Sequence, residues 1–131
     1  MDDKELMKLV IGRRIELIGK EVGGLFPDAK IRHTIDPEGR GVISVTMDGH
    51  FLSQEFVETE LSCDRPERWM EYLKVLGDRM RLVIVVPESR AKSMRLKMLE
   101  FNRWWLFCYL VFSYDEKGNV KMVGRPLDEG V

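Results

Sequence analysis

The sequence predicts an α/β fold, a mixed central β-sheet flanked by helices in the order αβββαβαβ. Two helical patterns bracket a β-rich middle. The dipeptide Asp48-Gly49 joins two β-branched or aromatic runs, the strongest short hairpin signal. The run "RLVIVVP" (81–87) is apolar throughout, as a strand covered on both faces must be.

The elements follow in order. Residues 3–22 place Leu6, Leu9, Val10, Ile15, Ile18 and Val22 at helical spacing. Asp2 or Asp3 is placed to cap that helix, and Gly23-Gly24 to stop it. "AKIRHTI" (29–35) alternates as a strand, and "DPEGRG" (36–41) is turn chemistry. "VISVTM" (42–47) and "FLSQEFVETEL" (51–61) form the two arms of the hairpin. A helix over 66–76 follows, with Ser62 or Asp64 as candidate cap and Gly77 as its close. Strand 80–87 leads to an amphipathic helix over 88–103, then to strand 104–114, "WWLFCYLVFSY", and a short last strand in "NVKMVG". One domain is expected over residues 1–124, with 125–131 a frayed tail.

Composition bounds the function. The 131 residues are 44% hydrophobic and 33% charged, with a formal net charge of -1. That balance suits a soluble globular chain and excludes nucleic-acid binding by bulk positive charge. Cys63 and Cys108 fit no metal-ligand spacing, and His33 and His50 carry no motif, so a zinc site is not expected. "MDDKELMKLVIGRR" lacks a leader pattern, and the longest apolar stretch is too short to span a bilayer. The expectation is a cytoplasmic protein without a membrane partner.

Acidic residues in a strand need a reason, because strands are depleted in them. "EFVETELS" (55–62) carries Glu55, Glu58 and Glu60. Alternation puts Glu58 and Glu60 on one face with Phe56, and Glu55 on the other. Two same-face carboxylates can share an oxygen-preferring divalent cation, Mg2+ or Mn2+. A solvated sheet face accounts for the same spacing.

The acidic strand, followed by a loop, a helix and a buried strand ending "VVP", resembles the PD-(D/E)XK nuclease superfamily, the restriction-endonuclease-like fold. The likeness covers about residues 5 to 112, mostly as element order. It implies a magnesium-dependent attack of water on a phosphodiester. "VETELS" is similar to the third-strand motif, with Glu58 at its acidic position. Glu60 stands where that family has lysine, and Lys74 on the next helix is the substitute. Asp48 or Asp36 would complete the metal site. "GRRIE" (12–16) is similar to the Gly-x-x-x-Glu of resolvase-like members, which would add Glu16. Without the lysine, the alternative is an inactive nuclease-like module that binds nucleic acid or a protein.

Each candidate also has a structural reading. Asp48 suits a type I′ turn, Asp36 turn initiation, Glu16 the polar side of a helix, and Lys74 an exposed position paired with Glu71. Trp69, Trp104 and Trp105 are candidates for base stacking or for the core. Arg79, Arg81, Arg90, Lys92, Arg95, Lys97 and Arg103 form a basic segment, read as a phosphate-contacting stripe or a solvated face. The stretch 104–112, apolar on both faces, raises a third possibility, an unrelated interaction domain that forms a homodimer there.

Overall fold

The computed structural model describes residues 1–101 and 109–123. A six-stranded mixed sheet is flanked by helices on both faces. The chain runs α1 (Asp3–Leu25), β1 (Lys30–Ile35), β2 (Gly41–Met47), β3 (His50–Val57), α2 (Glu67–Gly77), β4 (Arg81–Pro87), α3 (Ala91–Phe101), β5 (Tyr109–Tyr114) and β6 (Val120–Met122). Strands stand in chain order. The β1–β2, β2–β3 and β5–β6 pairs are antiparallel, and β3–β4 and β4–β5 are parallel. The parallel pairs are the two joined through helices, as a crossover requires.

Alternation along the strands sorts the core into two layers. Val83 and Val85 of β4 pack with Met7, Val10, Ile11 and Ile18 of α1. Leu82, Ile84 and Val86 pack with Tyr72, Val75 and Leu76 of α2 and Met94 and Met98 of α3. The apolar run in β4 is thus covered on both sides.

Several boundaries differ from the sequence expectation. Asp2 caps α1, accepting the Glu5 N–H at 2.7 Å. The helix runs through Gly23-Gly24 and ends at Leu25, because Phe26 precedes Pro27 and is pushed out of the helical region (φ −134°). Neither Ser62 nor Asp64 caps α2. They lie in a 3-10 turn (Ser62–Asp64), and Pro66 occupies the N-cap. Gly77 is the last residue of α2, and Arg79 (φ 60°) takes the left-handed position after it. The third strand ends at Val57, not Leu61. Residues 88–90 form a 3-10 turn before α3. Trp104, Trp105, Cys108, Arg103 and the tail 125–131 lie outside the described residues, as does most of the apolar stretch offered as a dimer contact.

The hairpin turn is as read: Asp48 (φ 53°) and Gly49 (φ 79°) are both left-handed, as type I′ demands. The register is not a plain continuation of it. Thr46 faces Phe51 but Val45 faces Ser53, so Leu52 is an extra residue in a β-bulge. Gly41 therefore pairs with Val57. One step beyond the ladder, Arg40 stands opposite Glu58, where an unbulged hairpin would place Gly39.

Candidate functional site

Glu58 is the first residue after β3. Its N–H donates to Val85 O at 2.7 Å, extending the parallel ladder by one step. Its carbonyl accepts the Tyr114 hydroxyl at 2.8 Å. The chain then turns, because Thr59 and Ser62 cap each other reciprocally: Thr59 N–H donates to Ser62 Oγ at 2.7 Å and Ser62 N–H to Thr59 Oγ1 at 3.0 Å. That turn separates the two acids expected as a pair. Glu58 is fully buried on the α2 side of the sheet. Glu60 is exposed and takes the Ser89 hydroxyl and the Arg90 guanidinium as partners. The same-face pair does not form, because the backbone is no longer extended past Val57.

Glu58 faces a cation supplied by the protein. Arg40 Nη1 donates to Glu58 Oε1 at 2.9 Å. The other two nitrogens of the same guanidinium are also taken: Nε by Asp36 Oδ2 at 2.6 Å, and Nη2 by Glu71 Oε2. Arg40 thus joins three carboxylates, one from the β1–β2 turn, one from the end of β3 and one from α2. Its guanidinium carbon lies 4.8 Å from the Phe56 ring centroid, a cation–π contact that roofs the same face. A second arginine extends the network. Arg68 donates to Glu71, to Glu38 and to Ser62 O (3.1 Å), and the more exposed Arg65 also reaches Glu38.

Electrostatics follow from burial. Removal from water raises the Glu58 carboxyl above the ordinary carboxylate value, and the hydrogen bond from Arg40 with the charges of Arg40 and Arg68 offsets this only in part. Burial also opposes the charge on Arg40, but its hydrogen bonds to Glu58, Glu71 and Asp36 outweigh that and hold it charged. Tyr72 is 1% exposed beside Glu58. Burial, and then the Glu58 charge, raise its phenol well above the usual range.

The other expected residues fall elsewhere. Asp36 does reach the Glu58 cluster, through Arg40. Asp48 is exposed at the opposite end of the hairpin, roughly 25 Å away along the eight residues of β3. Glu16 is exposed on α1, across the sheet from Glu58, and pairs with Lys20 at 3.8 Å. Lys74 is exposed on α2. Glu71, expected as its partner, turns instead to Arg68 and Arg40. Glu55 points to the α1 face and is held by Arg14, with Nε–Oε2 2.6 Å and Nη2–Oε1 2.7 Å.

This arrangement does not fit Mg2+ or Mn2+. Oxygen ligands must converge on the ion, and here a guanidinium occupies the point of convergence. Among the described residues, no three His, Cys, Asp or Glu side chains are grouped to hold a metal ion. Arg40, Arg68, Glu71 and Tyr72 were missed by sequence reasoning. The i, i+3 spacing of Arg68 and Glu71 was the available signal.

Beside the cluster lies a cavity of about 1000 Å3, at the carboxyl ends of β3, β4 and β5. Its walls carry Asp3, Glu60, Glu88, Asp115 and Glu116 against Lys4 and Lys117, with Asp36 and Glu38 on the side of the arginine cluster. Three residues of the basic segment have partners within the chain. Arg81 pairs with Glu21, Arg90 with Glu60 and Asp64, and Lys97 lies over the Trp69 ring. Trp69 itself packs on the α2–α3 core layer.

No protein-family model matches the chain, and no curated protein does. Among solved structures, an XisH family protein from Nostoc punctiforme aligns over 94% of this chain and 100% of its own, with 16% identity and a TM-score of 0.38.

Proposed function

We propose that this chain is a non-catalytic binding module built on a nuclease-like α/β fold. The observation that supports the reading is Arg40. A nuclease of this kind needs its acidic residue free to take a metal, and Glu58 is buried against a guanidinium instead. Of the two residues expected to orient water, Lys74 is exposed on α2 and Glu60 turns to Ser89 and Arg90.

The charge of the cavity favours a protein partner over nucleic acid. A phosphodiester backbone approaching Asp3, Glu60, Glu88, Asp115 and Glu116 meets like charge, and two lysines do not offset it. A lysine- or arginine-rich protein segment meets complementary charge there. The purified chain, incubated with DNA or RNA and Mg2+ or Mn2+, is expected to leave both intact and to show no gel retardation. A fluorescein-labelled oligolysine peptide is expected to bind with salt-sensitive anisotropy. Metal-dependent cleavage that Glu58→Gln abolishes would overturn the reading.

A further inference from the structure

We propose that the outer edge of β1 takes an extended acidic protein segment as an added antiparallel strand. The proposal gives the binding module a second contact, and it stands on different residues from the acidic cavity.

β1 closes one side of the sheet and pairs with β2 alone. The register shows which of its backbone groups face outward. Asp36 N–H donates to Arg40 O at 2.9 Å, one step past the Ile35–Gly41 pair. Hydrogen-bonded pairs recur at every second residue of an antiparallel ladder, so Lys30, Arg32 and Thr34 turn their backbone groups to β2. Ile31, His33 and Ile35 turn their N–H and C=O groups outward. The described residues offer those groups no partner. The strand contains no proline, and its register with β2 is unbroken, so nothing in the backbone bars a further strand.

The guard on this edge is charge, and charge chooses the occupant. Lys30 and Arg32 are exposed on the face opposite α1, and among the described residues neither is in an ion pair. Arg14, Arg40 and Arg81 each have a carboxylate. Beside Lys30 and Arg32 on their face stand Ser44, Thr46 and Gln54, all uncharged. Antiparallel pairing of β1 with that of a second copy, across a two-fold axis, would set the Lys30 and Arg32 of both chains on one face, where like charges repel. A segment with Asp or Glu at alternate positions sets carboxylates there instead. Its intervening side chains fall on the α1 side, beside half-buried Ile31 and exposed Ile35, where apolar groups fit. Ile35 also lines the acidic cavity, so edge and cavity adjoin. A partner held in the cavity by basic residues has its neighbouring segment within reach of the edge.

A fluorescein-labelled peptide of alternating glutamate and valine, titrated with the full chain, is expected to give saturable anisotropy. In the antiparallel pair the valine N–H groups face β1 and the glutamate N–H groups face away. N-methylation at the valines should therefore weaken binding at least about fivefold, and N-methylation at the glutamates should not. Arg32→Glu should also weaken it at least about fivefold. His33→Pro removes an outward N–H and leaves the ladder to β2 intact, so it should fold and bind at least about fivefold more weakly. Should His33→Pro not fold, the methylated peptides on the unmodified chain decide. No binding at millimolar peptide overturns the proposal, as does equal binding of the two methylated peptides. So does a folded Arg32→Glu or His33→Pro chain that binds as tightly as the parent. A dimer of the unmodified chain that dissociates in His33→Pro, read by sedimentation, overturns it too, because a second copy then holds the edge. None of these failures touches the oligolysine titration, which reads the cavity.

Discussion

Removing the Glu55 carboxylate should be one of the most damaging single changes to stability in this chain. Its side chain is 2% exposed and that of Arg14 is 3% exposed. The two share a bidentate pair at 2.6 and 2.7 Å, and the Arg14 guanidinium carbon also sits 4.1 Å from the Phe112 ring centroid. Glu55→Gln keeps the shape and leaves a charged guanidinium under α1 without its counter-ion. Breaking a buried pair in this way costs about 3–5 kcal/mol, against a total stability of about 5–15 kcal/mol for a domain. At about 4 °C per kcal/mol for a chain of this length, the melting temperature should fall by about 12–20 °C. Replacing both partners with apolar residues, Arg14→Met with Glu55→Leu, removes the two desolvated charges together. It should restore most of the loss or exceed the parent. Urea melts of the single and double variants measure this directly. A loss below about 1 kcal/mol for Glu55→Gln, the value of an exposed pair, would refute the reasoning. So would a double variant no better than the single one.

Three further outcomes follow from the same structure. Cys63 is 4% exposed, and its thiol is pushed up to about 11 by burial and then by Asp64. At pH 8 the native chain should therefore alkylate at Cys63 about a hundredfold more slowly than the urea-unfolded chain; peptide mapping after iodoacetamide reads this, and equal rates would contradict it. Gly118→Ala should destabilise more than Gly39→Ala. Both glycines are left-handed (φ 80° and 85°), which costs about 1–2 kcal/mol for a residue with a Cβ, but only at 118 would that Cβ lie 2.7 Å from Leu9 Cδ2. Because the native Glu58 carboxyl is raised above its ordinary value of 4.5, the stability linked to it is full below that value and is lost as pH rises through the native one. The stability of the parent minus that of Glu58→Gln should thus fall as pH rises from about 4.5; a rising difference in pH-dependent urea melts would reject the shift.

The elements were legible because local chemistry decides them. β4 declared itself by unbroken apolar composition, and the hairpin by two residues that tolerate positive φ. Glu55 was assigned to the face opposite Phe56 by alternation alone, and it lies there. What was not legible depends on one extra residue or on distant partners. Nothing in "GHFLSQEF" marks Leu52 as a bulge, yet it decides whether Gly39 or Arg40 meets Glu58. Nor did the 51–61 pattern show that Thr59 and Ser62 would cap each other and carry Glu60 out of the strand. Arg14 lies on the buried face of α1, but a buried arginine is recognisable only once its carboxylate is located across 41 positions of sequence.

An acid-lined strand therefore has a reason here other than metal chemistry. Glu55 and Glu58 leave opposite faces of the sheet, and each is met by an arginine, Arg14 from α1 and Arg40 from the turn before β2. Such pairs are weak sources of stability, because desolvation consumes most of what the charges gain. Any arrangement that separates them, however, leaves a charge in the core, which costs about 3–5 kcal/mol. A helix α1 rotated by one residue would strand Arg14, and a hairpin without its bulge would put Gly39 where Arg40 must be. The carboxylates that make the sequence look like a cation site thus tie each face of the sheet to its neighbours, and at Glu58 the tie is made by Arg40.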